Sequence, residues 1–185
     1  MLKRFLLSFV SLLLVVSAFG WDYPLAKPQI DSNSGRPAPL FTLKDHEGKA
    51  VSLESMRGSK VMLVFYRAYW CPYCMNQLKD IAKNIDRFRT AGVKVFAISA
   101  DEGEHVKKVY EKAAMKQFPV LSDPGAKTIR EYGILQQAQK QDEHDIAIRT
   151  TLLIDEKGNE VWRRVSKTAA DIPKAEELLQ RIEQK

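Results

Sequence analysis

Val61-Met62-Leu63-Val64-Phe65-Tyr66 and, after four further residues, Cys71-Pro72-Tyr73-Cys74 decide how this chain reads. The first stretch is continuously apolar with β-branched and aromatic members, the pattern of a strand buried on both faces. Beyond Pro72, Leu78, Ile81, Ile85 and Phe88 fall at helical spacing, and Ala91-Gly92 stops the helix. Val93-Lys94-Val95-Phe96-Ala97-Ile98 reads as a second buried strand. Strand, helix and strand in that order imply a parallel pair with a right-handed crossover. The two cysteines then sit where the first strand turns into its helix.

That position gives them a chemical use. The unpaired N–H groups and the dipole at a helix start favour an anion, so a thiol there ionises near neutral pH. Pro72 is tolerated in the first turn because its missing N–H has no intrahelical partner. A thiolate beside a second thiol attacks a disulfide or a peroxide and is then resolved as an internal disulfide. Competing uses are weaker. A purely structural disulfide across so short a loop constrains little of the unfolded chain. A zinc site needs more ligands, yet these are the only cysteines, and His46, His105 and His144 lack paired spacing. No metal and no cofactor is expected.

Outward from this centre, Phe41 and Leu43 alternate with polar residues, Asp45-His46-Glu47-Gly48 turns, and Val51 and Leu53 resume the alternation, an N-terminal hairpin. Asp101 is placed to cap a helix running to about Met115. Phe118-Pro119-Val120-Leu121 is a short strand, and a small helix through Tyr132 ends at Gly133. Gln136 to Asp145 reads as a polar loop. Thr150 to Ile154, the turn Asp155-Glu156-Lys157-Gly158-Asn159 and Glu160 to Val165 form a second hairpin, expected at the sheet edge. Asp171 with Pro173 opens a last helix burying Ala175, Leu178, Leu179 and Ile182. The class is α/β with a mixed central sheet flanked by helices.

The N-terminus is of another kind. Lys3 and Arg4 precede an apolar run from Phe5 to Phe19, ending in Ala18-Phe19-Gly20, which fits a cleaved secretory signal over residues 1–20. Residues 21–36 are rich in Pro, Ser, Asn and Gly and read as a flexible segment, with the domain spanning 37–185. The run is short for a bilayer span, so no stable membrane span is expected after cleavage. Export places the CxxC in a periplasmic or secreted setting, where disulfides persist and dedicated partners set the redox state. The chain of 185 residues has 29 basic and 23 acidic side chains, a formal +6. Losing Lys3 and Arg4 leaves 27 against 23, or +4, spread as pairs such as Arg163-Arg164 and Lys107-Lys108. That reads as a solvated basic surface, and no nucleic-acid partner is expected.

With these residues in view the chain resembles the thioredoxin-fold superfamily, and within it the AhpC/TSA peroxiredoxin-like branch, over about residues 35–168. The likeness rests on Ala38-Pro39-Leu40-Phe41-Thr42-Leu43 with Asp45 and Gly48, the strand ending Phe65-Tyr66, and Trp70-Cys71-Pro72-Tyr73-Cys74. Phe96-Ala97-Ile98-Ser99 with Asp101, Phe118 to Asp123, and Thr151 to Gly158 complete it. Peroxiredoxins carry a Pro-x-x-x-Thr-x-x-Cys motif after that strand end. Here its cysteine falls on Cys74, its threonine on Cys71 and its proline on Arg67. Thioredoxins, by contrast, use the first cysteine of a CxxC as nucleophile, which is Cys71. Arg149 stands where thioredoxin-like reductants place a cis-proline and where peroxiredoxins place an arginine that holds the thiolate and polarises peroxide.

The resemblance implies a thiol-dependent peroxide reductase with catalytic residues Cys71, Cys74 and Arg149, regenerated by an external dithiol protein. A thiol–disulfide oxidoreductase acting on exported proteins, with Cys71 attacking, is the close alternative. A copper carrier of the same fold, using His144, is a more distant one. Tyr66, Tyr69, Trp70 and Tyr73 are expected to cluster around the thiols, some in the core and some shielding the site or meeting a client.

Overall fold

The structure, a computed structural model, describes residues 35–138, 144–168 and 170–183. The expected signal sequence and nearly all of segment 21–36 lie outside these residues, as does the middle of the 136–145 loop. Its main sheet has eight strands: β1 (Arg36–Pro37), β2 (Thr42–Asp45), β3 (Ala50–Ser52), β4 (Lys60–Phe65), β5 (Val93–Ser99), β6 (Val120–Ser122), β9 (Thr150–Ile154) and β10 (Asn159–Val165). They lie in the order β1-β10-β9-β4-β5-β6-β2-β3, and β7 (Leu135–Gln136) pairs separately with β8 (Ile146–Ala147). The helices are α1 (Pro72–Lys83), α2 (Ile85–Thr90), α3 (Glu104–Lys112), α4 (Lys127–Glu131) and α5 (Ala175–Glu183).

The parallel pair is β4 with β5, running from Lys60↔Val93 to Phe65↔Ile98, and β6 joins β5 in parallel. Both hairpins form, β2 with β3 and β9 with β10, each antiparallel. The second hairpin is not an edge. β9 pairs directly with β4, from Val61↔Ile154 to Phe65↔Thr150, and all five of its residues are buried. A strand buried along its whole length has cover on both faces, which an edge position would not supply. The edges fall instead to β1 and β3.

Alternate residues of β4 build two cores. Met62, Val64 and Tyr66 join α1, α2, α3 and α5 through Leu78, Ile81, Phe88, Val109 and Leu178. Val61, Leu63 and Phe65 join Ile98, Ile129, Tyr132 and Leu152 on the other face. The expected long helix after Pro72 breaks at Asn84, whose Nδ2 donates to the Asp80 carbonyl at 2.8 Å and whose φ and ψ (−108°, 11°) are not helical. An asparagine that bonds local backbone competes with the helix ladder in this way.

Two expected caps are used otherwise. Asp101 does not start α3. Its Oδ2 accepts from Ser99 Oγ, its own N–H donates back to that oxygen, and Gly103 at φ 53° begins the helix. Asp171 does not start α5. Its carboxylate accepts from Arg164 and from the Lys167 amide, and the first amide of α5, Ala175 N–H, donates to Asp80 Oδ2 at 2.7 Å. Asp80 on α1 thus holds α5 in place. Among the described residues no helix is long and apolar enough to cross a membrane.

Candidate active site

Cys71 is the N-cap of α1, in extended geometry (φ −80°, ψ 106°), with Pro72 as the first helical residue. Its carbonyl accepts from the Met75 amide at 3.0 Å, and its Sγ accepts from the Cys74 amide at 3.3 Å. Sulfur thus takes the place an N-cap hydroxyl usually holds, on one of the helix's spare donors. Cys71 and Cys74 are disulfide-bonded, with Cα atoms 5.3 Å apart. Both are buried among Tyr66, Leu78 and the rest of the α1 core, Cys74 completely.

The β4–β9 register sets the opposite wall. Phe65 faces Thr150, so Tyr66 and Arg149 are the next residues where the two strands leave the sheet. Arg149 donates from one terminal nitrogen to the Thr168 carbonyl at 2.9 Å. Its buried Nε has no partner. Burial first, and then the neighbouring Arg67 guanidinium, lower the Arg149 pKa below the ordinary arginine range, while Asp171 works the other way. Arg67 lies over the Trp70 ring, 5.2 Å from its centroid, and its Nε is likewise buried without a partner. The sequence offered Arg149 alone; in the structure the Arg67 charge acts on it as well.

Gln77, on α1, fixes the helix against β9. Its Nε2 donates to Thr151 Oγ1 at 3.1 Å and to the Pro173 carbonyl at 3.4 Å. Nothing in the sequence pointed to this buried amide, because its partners are 74 and 96 residues away.

The aromatic cluster divides. Tyr66 is fully buried, its hydroxyl beside Ser99 and Asp101 but without a well-formed hydrogen bond. Burial, and then the Asp101 carboxylate, push the Tyr66 pKa well up. Burial likewise raises Asp101, against the lowering pull of Ser99, the Tyr69 amide, Tyr66 and His105. Tyr69 stacks on His105 with ring centroids 3.7 Å apart, tying the loop before the CxxC to α3. Trp70 and Tyr73 are exposed, at 52% and 48%, and flank the cysteines.

A cleft of about 310 Å³ adjoins this loop, walled by Arg67, Tyr69, Trp70, Asp101, His105 and His144 among others. A larger one, about 940 Å³, lies over β2 and the start of α4 and includes neither cysteine. His46 stacks on Tyr110, so the three histidines do not converge, and among the described residues no group of three or more His, Cys, Asp and Glu could hold a metal ion. The expected basic surface is corrected at Arg163-Arg164. Arg163 is buried against Glu160, and Arg164 bonds Asp171 and Glu177.

The AhpC/TSA family profile matches residues 34–162. The Mycobacterium tuberculosis protein named "Putative peroxiredoxin Rv2521" is 37% identical over 125 residues, which cover 67% of this chain and 79% of that one. The chloroplastic peroxiredoxin Q of Sedum lineare is 37% identical over 113 residues, 60% of each chain. The crystal structure of peroxidoxin BcpB from M. tuberculosis superposes with a TM-score of 0.71 at 21% identity, covering 84% of this chain and 98% of that one. Enterococcus faecalis AhpC superposes with a TM-score of 0.71 at 22% identity, covering 81% and 90%. With the thioredoxin-like sheet, the helix-capping cysteine and the matched span agreeing, the chain belongs to the AhpC/TSA family.

Proposed function

We propose that this chain is an exported peroxide reductase of the peroxiredoxin kind, with Cys71 and Cys74 as its complete redox pair. One observation carries the reading: in an AhpC/TSA chain, a bonded CxxC opens α1 while Arg149 stands at the adjoining strand end with an unused N–H.

In the reduced protein one cysteine is a thiolate, held by the α1 N-terminus and Arg149. Motif register assigns this role to Cys74. The thiolate attacks the terminal peroxide oxygen, the O–O bond breaks, and the departing alkoxide or hydroxide takes a proton. Sulfur is oxidised to the sulfenic acid and the peroxide is reduced to alcohol or water. The Cys71 thiol attacks that sulfur, water leaves, and the internal disulfide forms. An external dithiol protein then exchanges with the disulfide, becoming oxidised itself and restoring both thiols. Arg149 aims N–H groups at the oxygen that gains charge as the O–O bond breaks.

A second reading is favoured by the exposed Trp70 and Tyr73 beside Cys71, a surface suited to an unfolded client. There the enzyme exchanges disulfides with exported proteins and Cys71 attacks first. Cys71→Ser and Cys74→Ser, each exposed to hydrogen peroxide with a sulfenic-acid trap, separate the two. The peroxide reading expects a rapidly trapped adduct on Cys74 in the Cys71→Ser protein. Slow, unsaturable peroxide reaction in both variants, alongside fast reduction of a protein disulfide by the intact pair, overturns it.

A further inference from the structure

Seven arginines of the described chain lie within 4.0 Å of a carboxylate. Arg67 and Arg149 do not, although the β4–β9 register sets Arg149 opposite Tyr66, next to Arg67, and the Arg67 charge acts on Arg149. Arg149 is anchored by a single bond from a terminal nitrogen to a backbone carbonyl, and Arg67 by the face of Trp70. In both, the Nε hydrogen is buried and unused. Two like charges side by side, each with an idle donor, are an unfavourable arrangement that an anion would relieve.

Three carboxylates, Asp101, Glu102 and Asp145, line the cleft beside Arg67. In the cleft that Arg67 lines, Asp101 accepts from Ser99, and Asp145 accepts from Arg130 and the Ala138 amide. The disulfide itself carries no charge, so in this oxidised form the thiols do not balance the arginines. This cleft, of about 310 Å³, opens beside Arg67 and Trp70 and is lined by neither Arg149 nor the cysteines.

We propose that Arg67 and Arg149 form an anion-binding site at the CxxC, and that it selects peroxides carrying a carboxylate or comparable anionic group. This rests on the peroxide-reductase reading above and names its substrate class. Arg67 falls where the family motif has proline, so the second guanidinium is a property of this chain. The planar fork of Arg67 binds the substrate carboxylate, and Arg149 remains with the peroxide oxygens. The anionic group stays unchanged through the reaction, and only the O–O bond is broken.

A matched pair of probes isolates charge: cumene hydroperoxide and its para-carboxylate. The full chain is expected to favour the carboxylate about tenfold in kcat/KM, mostly through KM. Arg67→Met should erase that ratio, and Arg67→Lys should retain part of it, because a point charge lacks the fork. Equal rates on both peroxides in the parent protein, or a preference that survives Arg67→Met, overturns the proposal. Should neither peroxide be turned over, the reductase reading fails, and the site is judged by binding alone. Sulfate is then titrated into the oxidised protein at constant ionic strength with chloride, and tryptophan fluorescence is followed. A saturable change that is lost in both Arg67→Met and Trp70→Phe keeps the anion site, and its absence from the parent protein overturns it.

Discussion

Glu160 and Arg163 stand three residues apart on one β-strand and still face each other, with both guanidinium–carboxylate contacts at 2.7 Å. Residues i and i+3 of a regular strand point to opposite faces. The register of β10 slips between Glu160 and Trp162, so Val161 is an extra residue that turns Glu160 onto the side of Arg163. Arg163 also donates to the Tyr132 carbonyl at 2.9 Å, linking the bulged strand to the end of α4. Glu160→Ala leaves a buried guanidinium without its counter-charge and is expected to cost about 3–5 kcal/mol. The double variant Glu160→Met/Arg163→Met should cost much less. Urea midpoints of the three proteins check this; equal losses in the single and double variants would contradict it.

Gln77 is a second buried polar link, and it bears on function. Gln77→Leu leaves the buried Thr151 hydroxyl without its donor, at about 1–3 kcal/mol. Thr151 lies two residues from Arg149, so loosening α1 against β9 shifts the thiols relative to that arginine. We expect roughly a tenfold fall in kcat/KM for hydrogen peroxide, since small misplacements of reacting groups are costly. Thr151→Val combined with Gln77→Leu should recover stability without recovering the rate.

The parts of this molecule legible in its sequence are those with local signatures. The apolar run 61–66, the helical spacing from Pro72 and the CxxC between them each fit within a few turns of chain; β4 and β5 formed as those patterns imply, and α1 started where expected although the helical run divides at Asn84. The family's pattern offers Arg149 as a site residue, and the structure places it immediately before β9. Partners chosen by tertiary packing were not. Asp101 and Asp171 look like helix caps because capping is a local rule, but Ser99 and Arg164 hold them elsewhere. The second hairpin looked peripheral because alternation and turns do not reveal which strand lies beside which. Arg163-Arg164 looked solvated because a bulge leaves no mark in composition.

Arg149→Met removes a charged donor from the proposed site, and peroxide reduction is expected to fall by roughly 10²-fold. The attacking thiol should also titrate at higher pH, read as thiolate absorbance in the reduced protein, since a positive neighbour favours the anion. Folding stability should hold or rise slightly, because the variant relieves the pressure between Arg149 and Arg67. A variant with normal rate and normal thiol titration would remove Arg149 from the mechanism.

Asp171 predicts an acid-labile contribution. The Lys167 amide and then Arg164 hold its pKa below the usual carboxylate range. A group depressed in the folded state stabilises above its unfolded pKa and loses that effect as pH falls through the folded one. Asp171→Asn should therefore cost up to about 1 kcal/mol at neutral pH, a modest figure for a largely solvated pair. The cost should fade as pH falls below the ordinary aspartate range and through the depressed folded value, where the carboxylate of the parent protein also takes up its proton. Urea midpoints across that range test the sign.

Asp101 predicts the opposite sign. Burial raises its pKa in spite of Ser99, Tyr69, Tyr66 and His105, so ionising it in the folded protein costs more than in the unfolded chain. Its contribution is most favourable while the group is protonated, below the ordinary aspartate range, and fades as pH rises through its raised folded value. Asn keeps an acceptor for Ser99 Oγ and sheds the charge. Asp101→Asn should thus gain stability relative to the parent protein as pH climbs from the acid side towards neutrality, with the difference flat once the raised pKa is passed. A difference that shrinks over that interval would mean that Ser99 and the Tyr69 amide outweigh burial, and that the loop before Cys71 is held by a carboxylate that prefers its charge.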